Sequence, residues 1–198
     1  MDHRSLQRAY DRSAEGYDER FRDLQREKYR AAASSLVQLD SAGIGAGLEG
    51  LSAAGGFALD AGAGTALFEE WLADPAGPHA ALRASLLRLR WLAIDLSAGM
   101  LRQARARSVR PAVADLARLP LRPASCAFAV AFTSILEDKP AALRSLGACL
   151  CPGALLVATF LRDEAPAVPQ LAKWSGLTPL RGPLPAGQDD LFLLRAAR

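Results

Sequence analysis

The sequence predicts an α/β domain built on a doubly wound, mostly parallel sheet of about seven strands with an antiparallel last strand. Three observations carry this expectation. Short apolar runs, GFALD, RWLAI, AFAVAF and ALLVATFL, recur along the chain with helical stretches between them, an alternation that favours parallel strands joined by right-handed crossovers. The run AFAVAF is apolar throughout, as suits a central strand covered on both faces. Two of the runs close on an aspartate, Asp60 and Asp95, at the strand end where open α/β sheets gather ligands. A chain of 198 residues suits one domain that buries about 70% of its unfolded surface. We divide it into an N-terminal helical lid over 1–40, a Gly-rich connector over 41–56 and a sheet core over 57–198.

The elements follow in order. Leu6, Tyr10, Ser13, Tyr17, Phe21, Leu24, Lys28 and Ala31 form a stripe of roughly 3.6-residue period, and the break at Gly16 predicts two helices rather than one. Gly45, Gly47 and Gly50 match the dinucleotide pattern G-x-G-x-x-G literally, but no strand feeds them and no helix leaves them, so they read as connector. The second glycine run has the right context. Strand one covers Phe57 to Leu59, Asp60-Ala61-Gly62-Ala63-Gly64 makes the turn, and helix one runs from Thr65 to Ala73, with Thr65 or Gly64 as its cap and free N–H groups facing the turn. Ala66 stands where a third glycine would allow close approach of a pyrophosphate.

DPAGP ends helix one, and residues 74–88 read as an insertion. It lengthens the path from Asp60 to Asp95 beyond the roughly twenty residues usual between a glycine loop and its ribose-binding acid. Strand two, RWLAI, ends at Asp95, and the next helix starts with Ser97 as N-cap and turns Met100 and Leu101 inward. VADLARLPL supplies a third strand ending at Asp115, and AFAVAFTSIL a fourth. The helix PAALRSLGACL is stopped by Pro152 and Gly153, and ALLVATFL is the fifth strand. The proline-rich tail holds a helix around Val168 to Trp174 and a last strand, DLFLLRAA, entered through the tight turn GQDD.

Composition narrows the function. No stretch of about eighteen apolar residues exists, which argues against a membrane span, and the charged N-terminus lacks the apolar core of a secretory signal, so a cytoplasmic location is expected. Three cysteines without C-x-x-C spacing and two histidines distant from them predict no metal site and inert buried thiols. The formal charge is +3. Arg102, Arg105, Arg107 and Arg110 read as a solvated helix face, with an RNA surface as the alternative and DNA not expected.

The blocks LDAGAGT, AIDLSAGMLRQAR, ADLARLPL, FAVAFTSILED and LCPGALLVATF, in that order over residues 57–161, resemble the motif series of the class I S-adenosylmethionine (SAM)-dependent methyltransferases, which share a Rossmann-like fold. The similarity is to the type 11 branch, with the menaquinone/ubiquinone C-methyltransferases and the malonyl-carrier-protein O-methyltransferase. The opening AYDRSAEGYDERF is similar to that branch's Tyr-Asp-x-x-Ala-x-x-Tyr-Asp start, with Gly16 added. The resemblance implies an enzyme that moves a methyl group from SAM to an acceptor by in-line displacement. It implies that Asp60, Gly62 and Gly64 hold the amino-acid end, that Asp95 accepts the ribose hydroxyls, and that Asp115 and the Leu116 N–H meet the adenine, with Ala61, Leu96 and Met100 in the same cofactor-binding set. Thr133 and Tyr17 complete the cofactor set. Tyr10, Tyr17, Thr133 and Glu137 are the acceptor-side candidates.

No catalytic residue is assigned, because the sulfonium already carries an activated group and positioning supplies most of the rate. Ala129 departs from the Asp usual in the fourth block, and no Asn-Pro-Pro-Tyr motif follows, which argues against amide and base-amino acceptors. A small-molecule acceptor is expected. The alternatives are an RNA or protein methyltransferase subunit working with a partner, and a NAD-binding dehydrogenase, which Ala66 and Asp115 disfavour.

Overall fold

The computed structural model describes residues 3–41, 57–104, 109–135 and 138–197. The N-terminal stripe forms helices α1 (His3–Ser13) and α2 (Tyr17–Ser41), separated by a 3-10 turn, Ala14–Gly16, so the break falls where Gly16 predicts it. The connector with Gly45, Gly47 and Gly50 lies outside the described residues, as do Arg105, Arg107 and Glu137. Next come β1 (Phe57–Ala61), α3 (Leu67–Ala73), α4 (Ala80–Leu87), β2 (Arg90–Asp95), α5 (Ala98–Ala104) and β3 (Arg110–Val113). The chain continues through β4 (Cys126–Phe132), α6 (Lys139–Cys149), β5 (Leu150–Leu161), α7 (Val168–Trp174), β6 (Leu177–Ala186) and β7 (Asp189–Ala196).

The seven strands form one sheet in the order β3-β2-β1-β4-β5-β7-β6. β1 to β5 pair in parallel, and β7 runs antiparallel to both β5 and β6. Two apolar layers clothe the sheet, because successive residues of a strand point to opposite faces. Phe128 and Val130 of β4 pack with Tyr29 and Leu36 of α2, Phe68 and Trp71 of α3, and Leu86 of α4. Ala129 and Ala131 pack on the other side with Leu143 and Leu146 of α6 and Val168 of α7. Every residue of β4 is buried. Among the described residues, no helix is long and apolar enough to cross a membrane, and no group of three or more His, Cys, Asp or Glu is placed to hold a metal ion. All three cysteines are free, with Cys126 and Cys149 buried.

Several boundaries differ from the sequence reading. β3 ends at Val113, short of Asp115, whose carboxylate instead accepts the Ala117 N–H at 2.8 Å and caps a 3-10 turn at Leu116–Arg118. β5 begins at Leu150, directly after α6, so Pro152 and Gly153 lie inside it. A shift in register permits this: Cys126 pairs with Leu150 but Phe128 with Leu155, and the extra residues bulge out. The tail holds a second strand, β6, despite Pro179, Pro183 and Pro185. β6 is the edge of the sheet, the place where missing ladder donors are tolerated.

The insertion at 74–88 has a structural use. Arg83 of α4 is buried and donates to the carbonyls of Trp71 (3.1 Å), Leu72 (3.3 Å), Asp74, Gly77 (2.9 Å) and Pro78 (2.9 Å). One guanidinium thus satisfies the carbonyls left open at the end of α3.

Candidate functional site

The strand order reverses at β1 and β4, and the crevice beyond their carboxyl ends is where a sheet of this kind presents a site. The turn after β1 is pinned there from two sides. The N–H groups of Gly62 and Ala63 donate to the Ile94 carbonyl at 2.6 and 3.0 Å, and Ser134 Oγ donates to the Ala61 carbonyl at 2.5 Å. Gly62 and Gly64 have φ of 78° and 55°, a region that suits glycine. Their surroundings differ. A Cβ on Gly62 would lie 2.0 Å from Ser134 Cβ, whereas a Cβ on Gly64 would meet nothing within 4 Å.

The cap expected at Thr65 or Gly64 is not formed. Helix α3 begins at Leu67, with Ala66 as N-cap in the left-handed region (φ 63°) and no side-chain cap. Thr65 Oγ1 donates instead to Asp18 Oδ1 of α2 at 2.5 Å, which ties the N-terminal helices to the loop. The N–H of Gly64 donates to Asp95 Oδ2 at 2.8 Å rather than facing outward, and the N–H of Ser97 donates to Asp95 Oδ1 at 2.8 Å. Each carboxylate oxygen of Asp95 thus holds one backbone donor and keeps further acceptor capacity. Burial pushes the Asp95 carboxyl above its ordinary value, opposed by the N–H donors of Ser97, Gly64 and Leu96.

Asp60 is only 3% exposed and makes a buried carboxyl pair with Glu69 of α3. Burial first, then the charge of Glu69 and a hydrogen bond to it, push the Asp60 carboxyl well up. Two such groups side by side resist ionising together.

Helices α1 and α2 lie across this edge and close a cavity of about 390 Å³, a volume usual for small-ligand sites. Asp11 of α1 fixes the first of them. Its Oδ1 accepts from Ser97 Oγ at 2.6 Å and from the Gly99 N–H at 2.8 Å, and these two bonds hold its carboxyl below its ordinary value. From α2, Tyr17, Phe21, Leu24, Gln25 and Lys28 face the cavity, a spacing that fits one side of a helix. Burial pushes the Tyr17 phenol up to about 12, so it is a neutral hydrogen-bonding group rather than a base. Burial also raises Tyr10, with the Asp95 charge adding to it.

At the other end a compact polar cluster forms the floor. Lys28 Nζ lies 2.8 Å from Asp189 Oδ2 and donates to Thr133 Oγ1 at 2.5 Å. The Thr133 hydroxyl donates to Asp189 Oδ2 and lies 3.1 Å from Thr159 Oγ1. Both ion-pair side chains are 3% exposed. Thr133 is held at φ 52° just past β4, and Asp189 opens β7 opposite Leu161, the last residue of β5. The antiparallel course of β7 is what brings a carboxylate to the carboxyl edge.

Of the residues singled out in the sequence, Gly62, Gly64, Asp95, Leu96, Met100, Asp115, Leu116, Thr133, Tyr10 and Tyr17 line the cavity. Asp60 and Ala61 do not: they stand at the buried end of β1, and Asp60 is turned to Glu69. Sequence reasoning missed Gln25, Lys28 and Asp189. A signal existed for Lys28, a cation in an otherwise apolar helical stripe, whereas Asp189 depends on a pairing with α2 that no local pattern encodes.

The profile of the family described as "Methyltransferase domain" matches residues 59–158, half of the chain. Among solved structures, a SAM-dependent methyltransferase of Thermotoga maritima, described as a possible histamine N-methyltransferase, superposes with a TM-score of 0.63 at 16% identity, covering 98% of this chain and 100% of its own. A proposed methyltransferase of Haloferax volcanii, solved with the Trm112 methyltransferase activator, gives 0.65 at 15% identity, covering 95% and 97%. A SAM-dependent methyltransferase of Aquifex aeolicus gives 0.55 at 15% identity over 71% and 81%. Identities this low speak to fold alone. No curated protein matches the chain. With the family profile spanning β1 to β5, the chain belongs to the methyltransferase domain family, as an enzyme whose methyl donor is S-adenosylmethionine.

Proposed function

We propose that the protein transfers the SAM methyl group to a small-molecule acceptor held between the end of β4 and the α2 roof. The observation that carries this reading is the cavity under α1 and α2, with Asp95 and Asp115 at one end and the Lys28–Asp189–Thr133 cluster at the other. The residues present fit the cofactor. Asp95 keeps acceptor capacity for the ribose hydroxyls, Asp115 has one oxygen beyond its cap for the adenine amino group, and Gly64 leaves open the space a side chain would fill. Asp60, buried beside Glu69, is not on the cavity wall. The sulfonium supplies the activated methyl group, and the protein contributes alignment and exclusion of water. No cavity side chain is assigned as a base: His79 pairs with Ser34 Oγ at 3.0 Å and is not on the wall.

A calorimetric titration tests the reading. S-adenosylhomocysteine (SAH) and SAM bind and NAD does not; tight NAD binding without SAH binding would overturn it. A second reading, a catalytic subunit that needs a partner, is favoured by the likeness to the Haloferax protein solved with an activator. Co-purification of a small protein, with activity lost on its removal, would establish it.

The two glycines are expected to separate folding from binding. Gly64→Ala costs about 1–2 kcal/mol for the left-handed backbone and places a methyl group in the cavity, so SAH binding is lost from a folded protein. Gly62→Ala adds about 1–3 kcal/mol of crowding against Ser134. Urea melts beside SAH titrations read the two effects, and equal stability in both variants would refute the distinction.

Residues 1–40 act as the lid, and Asp11 is its latch. Because its carboxyl is depressed in the folded state, its contribution is present above the unfolded carboxylate value and is lost as pH falls through the folded one. Asp11→Asn therefore raises hydrogen exchange over residues 5–25 and weakens SAH binding through Tyr10 and Tyr17, although Asp11 is not on the cavity wall. Unchanged protection in that segment would end the latch idea.

A further inference from the structure

The three free cysteines gather at the end of the sheet opposite the cavity. Cys126 opens β4, Cys149 closes α6, and Cys151 is the second residue of β5. A bulge turns the first two toward each other. Cys126 and Phe128 would share a face in a regular strand, yet Phe128 packs in the α2 layer and Cys126 in the α6 layer, together with Cys149. The register accounts for this: Phe57 pairs with Cys126 and Ala58 with Phe128, so β4 holds one extra residue, Ala127, and Cys126 is re-aimed. On its other side Cys126 pairs with Leu150, the residue after Cys149, and the Ser125 N–H donates to the Cys149 carbonyl at 2.8 Å. Strand spacing and rise then put the Cα atoms of Cys126 and Cys149 about 6 Å apart, inside the range that a disulfide spans. A hydrogen bond from Cys149 is the first influence that holds the Cys126 thiol below its ordinary value, and the same contact pushes Cys149 up. Both thiols are buried, but at shallow depth. Ser125, half-buried, has its Oγ 3.9 Å from Cys126 Sγ, and Arg122, Pro123 and Ala124 before it are exposed.

We propose that Cys126 and Cys149 are a redox-sensitive pair, which a hydroperoxide closes to a disulfide that staples the β4–α6 crossover. The Cys126 sulfur attacks the O–O bond; the distal oxygen leaves with the thiol proton, as water when the oxidant is hydrogen peroxide, and Cys126 becomes a sulfenic acid. The Cys149 sulfur then displaces hydroxide from Cys126, and that hydroxide takes the Cys149 proton and leaves as water. Two thiols are thus oxidised and one O–O bond is reduced. The end of a strand opens locally more readily than its centre, which admits an oxidant little larger than water. The segment closed by the link carries Phe132, Thr133, Ile135 and Asp138 of the cavity wall, so a pair at one end of the sheet restrains the wall at the other.

The test treats the full chain with hydrogen peroxide, unfolds it in the presence of an alkylating reagent and maps its peptides by mass. Cys126 should be joined to Cys149 with the loss of two hydrogens, and Cys151 should remain open to alkylation. The oxidised chain should melt about 5 °C or more above the reduced one, because the link restricts the unfolded chain, and dithiothreitol should reverse the rise. Cys151→Ser should keep both effects and Cys149→Ser should lose both, while the map of the wild type stands even if a variant folds poorly. Peroxide that leaves Cys126 and Cys149 as free thiols, joins either of them to Cys151, or links them without a reversible rise in melting temperature overturns the proposal. SAH binding takes no part in these readouts, so the proposal and the methyltransferase reading of the cavity stand or fall separately.

Discussion

Replacing Asp95 by alanine is expected to lower the affinity for SAH by about a hundredfold or more while the sheet still forms. Two charge-assisted hydrogen bonds to a buried ribose are worth about 1.5–3 kcal/mol each, and each 1.4 kcal/mol is roughly tenfold in affinity. The variant also frees the N–H groups of Gly64 and Ser97, so the loop loses its tie to β2. Asp95→Asn separates the two losses: it keeps a side-chain oxygen for one backbone donor but offers the ribose an N–H where an acceptor is needed. Acidification gives an independent check. The Asp95 carboxyl is raised by burial, so SAH affinity should fall as pH drops through a value above the ordinary carboxylate range. The stability of the empty protein moves the other way. In the window between the unfolded and the raised folded value the folded state holds more protons, and this group's contribution to stability declines as pH rises. Calorimetry and thermal melts over the same pH series should diverge, and parallel curves would mean the ribose acid is another residue.

The alternation of apolar runs and helical stripes was enough to place the sheet, because a parallel strand buried on both faces must be apolar on nearly every residue, as Phe128 to Phe132 are. Long-range order was less legible. The proline-rich tail hid β6, since Pro179 and Pro183 read locally as breaks and only its place at the sheet edge makes them compatible with a strand. The bulge that lets Pro152 and Gly153 remain within β5 is likewise a property of the pairing with β4, not of the segment itself.

The site shows the same division. Gly62, Gly64, Asp95 and Asp115 follow strands in sequence, so their arrival at one edge follows from the parallel topology. Asp60 has the same local pattern, but it is buried beside Glu69 of the next helix and is not on the cavity wall. Gln25 and Lys28 lie on a helix that reads as amphipathic, and nothing near them in sequence announces that this stripe roofs a cavity rather than filling a core. Lys28 meets Thr133 and Asp189 only because the fold brings them to it from just past β4 and from the start of β7.

Lys28→Met is expected to be the most destabilising single change in the floor of the cavity, costing about 3–5 kcal/mol, because it leaves Asp189 buried without its counter-charge. The two side chains are each 3% exposed, so water cannot take the place of the ammonium. Thr133 still donates to Asp189 Oδ2, which provides a dipole but no compensating charge. Asp189→Asn alone should also destabilise, since it strands Lys28 in turn. The double change Lys28→Met with Asp189→Leu removes both charges and should recover most of the loss, as buried pairs replaced by apolar residues often do. Denaturant melts of the four proteins form a cycle, and the coupling energy read from it isolates the pair from the packing of either stem. A small and additive set of changes would mean that the cluster is more hydrated than its burial implies. Strong coupling in stability with SAH affinity unchanged would assign the Lys28–Asp189 pair to holding α2 against the start of β7 rather than to binding the cofactor.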